Sequence, residues 1–323
     1  MKILVTGAAG FIGSKVSSLL SNRGDDVVGI DNLNDSYDVA LKKARLTAFG
    51  GPHFERLDIC DAGALEALFA REGFDAVVAL AAQAGVRHST VTPQTYVQSN
   101  ICGFFNILEA CRKYAVKHLV FASSSSVYGE AESAPFCEQQ NTDYPVSLYA
   151  ATKKSGELLA YSYAQLYHLP ITALRYFTVY GPWGRPDMAP ILFADAICEG
   201  RPISLFGEGK QERDFTYIDD IAEGTIAVLD APPIQKDLAS SVPYRVMNIG
   251  NGRPIGLCAF VEELEKALGM KAEKRLLPMQ PGDVTRTWAD TTQLEQSLGF
   301  RPRVSLQQGV AEFVKWYKEY YKR

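Results

Sequence analysis

No stretch of the chain is apolar for long enough to cross a bilayer; the longest runs, such as Ala76 to Ala82, fall far short of the roughly 20 residues required. Histidine is scarce. The four present, His53, His88, His118 and His168, show no HxxxH or HxxE spacing, so the sequence offers no metal site. The six cysteines (Cys60, Cys102, Cys111, Cys137, Cys198 and Cys258) show no CxxC or other paired spacing, which argues against a disulfide framework and for idle thiols in a reducing compartment. Positive charge is not concentrated anywhere: 33 Lys and Arg stand against 37 Asp and Glu, a formal net charge of -4, without the basic stripe of a nucleic-acid surface. Met1-Lys2-Ile3-Leu4-Val5 runs directly into a glycine turn with no signal-peptide pattern, so the expected location is the cytoplasm. Internal repeats and low-complexity segments are lacking too.

What is present is an ordinary globular balance, 47% hydrophobic and 22% charged, over 323 residues. That suffices for one large α/β domain and a smaller companion. The first half alternates apolar, β-rich runs with helical patterns. Strands are expected at Lys2–Thr6, Asp26–Ile30, His53–Leu57, Ala76–Leu80, His118–Ala122 and Ile171–Arg175, and helices at Phe11–Arg23, Gly63–Arg71, Tyr96–Tyr114 and Tyr149–Tyr167. Apolar strands separated by helices indicate a parallel sheet covered on both faces. After about Thr178 glycine and proline become frequent, as in Gly181-Pro182-Trp183-Gly184-Arg185-Pro186, pointing to a smaller unit over the carboxyl ends of the strands.

Three positions carry a phosphate-binding turn. In Val5-Thr6-Gly7-Ala8-Ala9-Gly10-Phe11-Ile12-Gly13, Gly7 permits the tight turn, Gly10 a close backbone approach, and Gly13 close packing of helix on strand. The spacing is GxxGxxG rather than GxGxxG, and a glycine turn alone would suit any strand-to-helix junction. Asp31, at the end of the second expected strand, stands where a carboxylate accepts from ribose hydroxyls. Asn32 follows it and no Arg stands beside it for a 2′-phosphate, which favours NAD over NADP. Two further strand ends suit a dinucleotide: Asp58-Ile59 at the adenine, and Leu80-Ala81-Ala82-Gln83, small enough to let a cofactor pass.

Tyr149-Ala150-Ala151-Thr152-Lys153 opens a helix and places phenol and ammonium on one face. A neighbouring cation favours phenolate, so the spacing predicts a Tyr149 pKa below the ordinary value of about 10. Such a tyrosine removes a hydroxyl proton while hydride leaves the same carbon. The strand before it runs into Ser123-Ser124-Ser125-Ser126-Val127-Tyr128-Gly129, whose hydroxyls suit a substrate oxygen. YxxxK is common by chance, and a serine-rich turn is often simply solvated.

TGAAGFIGS, AAQAGVRHS, SSSSVYG, YAATKKSGE, RYFTVYGPWGRPDMA and RDFTYIDD together resemble the extended short-chain dehydrogenase/reductases acting on nucleotide sugars. YDVALKKARL and FTVYGPWGRPDMA resemble the UDP-glucuronate 4-epimerase family in particular. The resemblance covers essentially the whole chain. It implies a Rossmann-type doubly wound parallel sheet over residues 1–177, a smaller α/β substrate-binding domain over 178–323, and a segment at about 214–230 returning to the first.

It also implies site residues. Ser124 joins Tyr149 and Lys153 in the catalytic set. Phe11, Ile12, Asn100, Ser123, Tyr176 and Val179 join the glycines, Asp31 and the strand ends along NAD. Arg213 and Arg286 match pyrophosphate-holding positions, Arg87, Thr178 and Arg185 line the sugar pocket, and Ala189–Phe206, with Phe206, resembles a uridine-binding region. The expected partners are a UDP-sugar and a second copy of the chain, joined through Tyr96–Tyr114 and Tyr149–Tyr167. No nucleic acid, membrane or metal is expected.

The acid-sugar reading turns on one turn. Oxidising C4 of a glucuronate gives a β-keto acid prone to lose carbon dioxide. Related decarboxylases carry a carboxylate directly before the Val of VYG, and dehydratases an Asp before that; here those positions are Ser126 and Ser125. The expectation is that Ser125 and Ser126, with Thr178 and Arg185, hold the substrate carboxylate. A neutral UDP-hexose 4-epimerase, a UDP-glucuronate decarboxylase and, more distantly, a non-catalytic NAD(H) sensor are the alternatives.

Overall fold

The computed structural model describes residues 1–49, 53–130, 133–233, 242–279 and 284–323. Strand β1 (Lys2–Thr6) is buried through Ile3, Leu4 and Val5, as a central parallel strand must be. It is followed by α1 (Phe11–Arg23), β2 (Asp26–Asp31), α2 (Val39–Ala48), β3 (His53–Arg56), α3 (Ala62–Glu72) and β4 (Ala76–Ala79). Then come α4 (Pro93–Val97), α5 (Phe104–Lys113), β5 (His118–Ser124), α6 (Leu148–Tyr167) and β6 (Ile171–Tyr176).

Short polar side chains set several helix starts. Asp38 accepts from the Ala40 amide, Asp61 from Ala64 and Ser147 from Ala150, each supplying an acceptor that the first turn lacks. Gly24 and Gly73 end α1 and α3 in the left-handed conformation.

The sheet has seven parallel strands in the order β11-β6-β5-β4-β1-β2-β3, where β11 is Tyr244–Ile249. From β1 the chain winds outward to β2 and β3, then crosses back to β4 on the other side. That reversal opens a crevice at the carboxyl ends of β1 and β4. Alternate residues serve opposite faces. Ile3 and Val5 pack with Val16 of α1 and Ile221 of α8 (Ile218–Leu229), while Leu4 packs with Leu65 of α3, Ile107 of α5 and Ala160 of α6.

The seventh strand, β11 (Tyr244–Ile249), comes from the stretch that the sequence left in the second half. Helix α8 likewise packs on α1, so the chain re-enters the first unit twice. The remainder caps the strand ends with α7 (Ala189–Cys198) and three small pairs. These are β7 (Thr178–Tyr180) with β10 (Phe215–Tyr217), β8 (Ile203–Phe206) with β13 (Lys274–Leu277), and β9 (Glu212–Arg213) with β12 (Ile255–Gly256). Helices α9 (Leu257–Leu268), α10 (Thr292–Leu298) and α11 (Leu306–Tyr321) complete it. Among the described residues no helix is long and apolar enough to cross a membrane.

The helix expected over Tyr96–Tyr114 is interrupted. A π-helical turn, Gln98–Gly103, separates α4 from α5. Its extra residue lets Asn100 bond the Gln83 backbone and the Thr152 hydroxyl together.

Candidate active site

A cavity of about 1050 Å³ follows the crevice. Its floor is the glycine turn. Gly7 has φ +72, and a Cβ there would lie 2.8 Å from the Ala81 nitrogen; a Cβ on Gly13 would lie 2.1 Å from the Gly7 carbonyl oxygen. Only glycine lets β1, β4 and α1 approach this closely. Gly10 precedes α1 without any side-chain cap, so the helix presents its first amides and positive dipole end beside a cavity wall that includes Gly10, Phe11, Ile12 and Gly13. That donor set fits a dinucleotide pyrophosphate.

Asp31 closes β2, its two oxygens accepting from the Ala9 amide at 3.3 Å and the Leu33 amide at 2.8 Å. Asn32 donates to Asp58 at 2.8 Å. Burial pushes Asp58 up, but the Asn32 and Cys60 bonds prevail and hold it below the ordinary carboxylate value. Asp31, Asn32, Asp58, Ile59, Leu80, Ala81, Ala82, Gln83, Ser123, Tyr176 and Val179 all line the cavity. Asn100 does not. It stands behind the wall and holds Gln83 at 2.8 Å.

At the catalytic end, Lys153 lies one turn after Tyr149 on α6, its ammonium 5.9 Å from the phenol ring centroid. It donates to the Ala122 carbonyl at 2.8 Å, and burial pushes it down to about 8. Ser124 closes β5 close enough to the Tyr149 phenol to draw its pKa down, and its Oγ accepts from the Ser126 amide at 3.1 Å. The Tyr149 pKa departs from the sequence expectation. Burial raises it above the ordinary value, with Ser124 and the Arg185 charge only partly opposing. Helical spacing counted the neighbouring cation but not the desolvation around the phenol.

Behind these residues lies a buried relay that the sequence reading did not single out. The Ser123 hydroxyl donates to Glu157 at 2.6 Å, Glu157 pairs with Arg175 at 2.8 Å, and Arg175 lies 4.8 Å above the Tyr128 ring. YAATKKSGE and RYF both contained members of it, but pairing across β5, α6 and β6 is not visible in local spacing.

At the far end the cavity meets Arg87, Thr178, Arg185, Phe206 and Arg213. Arg87 lies 4.7 Å over the Phe206 ring. Arg213 donates to the Glu212 carbonyl at 2.9 Å, and Arg185 to the Ala84 carbonyl at 3.1 Å while pairing with Asp187. Much of α7 and β8, from Ala189 to Phe206, lines the same end.

Besides Asn100, three expected substrate contacts are not on the wall. Ser125 and Ser126 belong to a 3-10 turn, Ser125–Tyr128, that starts after β5 has ended. Arg286 is about half exposed and paired with Glu212. Missing from the sequence reading were Tyr37 and Lys42, both on the wall. Lys42 is buried and donates to Asn34 at 2.8 Å, and YDVALKKARL was the signal available for it.

Residues 3–250 match the family described as NAD dependent epimerase/dehydratase. The chain is 47% identical to a probable UDP-glucuronate 4-epimerase of Rhizobium meliloti, covering 100% of this chain and 98% of that one. Its structure is similar to that of a UDP-glucuronic acid 4-epimerase from Bacillus cereus in complex with UDP-glucuronic acid and NAD (TM-score 0.90, 39% identity, 99% and 100% of the two chains). A UDP-glucose 4-epimerase from Thermotoga maritima, with UDP-glucose, is similar at TM-score 0.89 and 31% identity, over 99% of this chain and 100% of that one.

Proposed function

Because the chain belongs to the NAD-dependent epimerase/dehydratase family, we propose that it is a UDP-glucuronate 4-epimerase, interconverting UDP-glucuronate and UDP-galacturonate. The observation that carries this reading is one continuous cavity. It joins a dinucleotide-fitting glycine turn to Ser124, Tyr149 and Lys153, and these to Thr178 and Arg185.

NAD, when bound, would supply a reversible hydride acceptor for C4 and a positively charged ring beside the phenol. The chain does the rest. The amides opening α1 hold the pyrophosphate, and Asp31 accepts from the ribose hydroxyls. The Tyr149 oxygen takes the O4 proton as the C4 hydride leaves and gives it back as the hydride returns, so no net redox change occurs. Ser124, beside that phenol, is placed to hold the sugar oxygen, and the Lys153 ammonium favours the phenolate. Thr178 and Arg185 orient the sugar carboxylate, so that the C5–C6 bond is held away from decarboxylation while C4 is a ketone. Ser125 and Ser126 contribute by leaving no acid at the end of β5 to work on the C5 proton, in place of the direct grip expected from sequence.

In this reading residues 1–177, with α8 and β11, hold NAD, and the rest of 178–323 holds the UDP-sugar. Phe206 and Arg213 face its nucleotide side, and Arg87, over the Phe206 ring, faces the sugar. The chain works as a homodimer in the cytoplasm. Large apolar side chains remain exposed on α5 and α6, among them Phe105, Leu158 and Leu166, and all six cysteines are free.

A neutral UDP-hexose 4-epimerase is the second reading, favoured by the similarity to the Thermotoga maritima structure. Turnover of the two substrates separates them. UDP-glucuronate should be converted much faster than UDP-glucose, which lacks the carboxylate that Arg185 and Thr178 orient. A preference for UDP-glucose would give the second reading its place.

A further inference from the structure

The motif YDVALKKARL contributes a residue that the mechanism has not used. Arg45, on α2, is fully buried, and every one of its N–H groups goes to a neutral acceptor. Nε and Nη2 donate to the Trp183 carbonyl at 3.0 and 2.7 Å, and Nη2 also to the Gly184 carbonyl at 3.1 Å. Nη1 donates to the Ala9 carbonyl at 3.1 Å and to the Tyr37 hydroxyl at 2.6 Å. A buried guanidinium held only by carbonyls and a phenol is costly to desolvate. Its planar fork gives a fixed geometry that an apolar residue could not supply.

The segments joined are functionally distinct. Ala9 lies inside the glycine turn, and its amide reaches Asp31. Trp183 and Gly184 immediately precede Arg185, which crosses to the Ala84 carbonyl at the sugar end. Trp183 itself sits at φ +66, a left-handed conformation that a bulky residue keeps only where its surroundings over-determine it. The two donors on its carbonyl, and its packing against Phe49, Trp316 and Tyr320, do so here.

We propose that Arg45 is a positioning residue: it fastens the loop carrying Arg185 to the glycine turn, so that sugar-binding arginine and cofactor turn keep one spacing. This rests on the epimerase reading and deepens it.

The test uses the purified holoenzyme. Arg45→Lys keeps the charge but loses the fork. NAD released on denaturation should match wild type and kcat should stay close to it. KM for UDP-glucuronate should rise about tenfold, the equivalent of losing a hydrogen bond made by a charged group. In calorimetric titrations with UDP-glucuronate, the same substitution should add little to the loss of affinity already caused by Arg185→Ala, because residues acting through one another are not additive. Equal effects in both backgrounds, an unchanged KM, or a defect confined to NAD content would overturn the proposal. Should Arg45→Lys not fold, Trp316→Leu, which lies off the cavity wall and loosens the packing on Trp183, takes its place in the same cycle, with a smaller shift of the same kind expected and additivity again counting against it. Failure of the wild type to convert UDP-glucuronate would sink the parent reading instead, and is seen separately.

Discussion

In the proposed reaction a single phenol concentrates the chemistry. Tyr149 is raised by burial and drawn back by Ser124 and Arg185, so its readiness as a base depends on charge brought close to it. Replacing it by Phe keeps the ring against Tyr96 but removes the proton carrier. Tyr149→Phe should therefore retain NAD and lose at least about 10²-fold in kcat; near-normal turnover would take Tyr149 out of the mechanism. Which residues the cavity gathers was largely legible at this scale. Gly7, Gly10, Gly13, Asp31, Tyr149 and Lys153 declare themselves through short-range spacing, because strand ends and helix turns are local. What those residues experience was not. The raised phenol and the five bonds of Arg45 depend on partners brought from elsewhere in the chain.

Elements follow the same division. The six strands expected from apolar runs all form, Lys2–Thr6 with the expected bounds and the other five with one end shifted by a residue or two. Strand β11 escaped notice because Arg245 and Asn248 interrupt its apolar character. Asn248 is nonetheless fully buried, with its amide on the Phe136 and Asp290 carbonyls and its oxygen accepting from Tyr128. The π-helical turn before α5 was equally hidden, since it exists to seat Asn100 between Gln83 and Thr152.

His118, which opens β5, shows what such seating implies for stability. Its ring lies between the Leu229 carbonyl at 2.9 Å and the Thr172 hydroxyl at 3.0 Å. Burial pushes it down to about 4, the Leu229 bond opposing weakly and the Arg245 charge assisting. The unfolded chain, with an ordinary value near 6.5, takes up a proton before the folded one does. Stability is thus fully present above pH 6.5 and is lost as pH falls toward 4, by on the order of 3 kcal/mol from this group. Thermal melts across that window should fall more steeply for wild type than for His118→Gln. Parallel curves would show that the imidazole is not the group responsible.

At the scale of the whole molecule, the outer faces of α5 and α6 leave Phe105 44% exposed and Leu166 67% exposed, a cost that a second copy of the chain would relieve. Sedimentation should show a dimer for wild type and a shift to monomer for Phe105→Glu combined with Leu166→Glu. A monomeric wild type would remove the dimer from the account. The same scale holds the central claim, that one cavity lets a sugar acid be oxidised and reduced at C4 without losing its carboxylate. The direct measurement is to supply the protein, without added NAD, with UDP-glucuronate carrying deuterium at C4, and to follow the products by NMR. The account predicts UDP-galacturonate with the deuterium still at C4 and no carbon dioxide. A UDP-pentose product, washout of the label into solvent, or no conversion at all would contradict it.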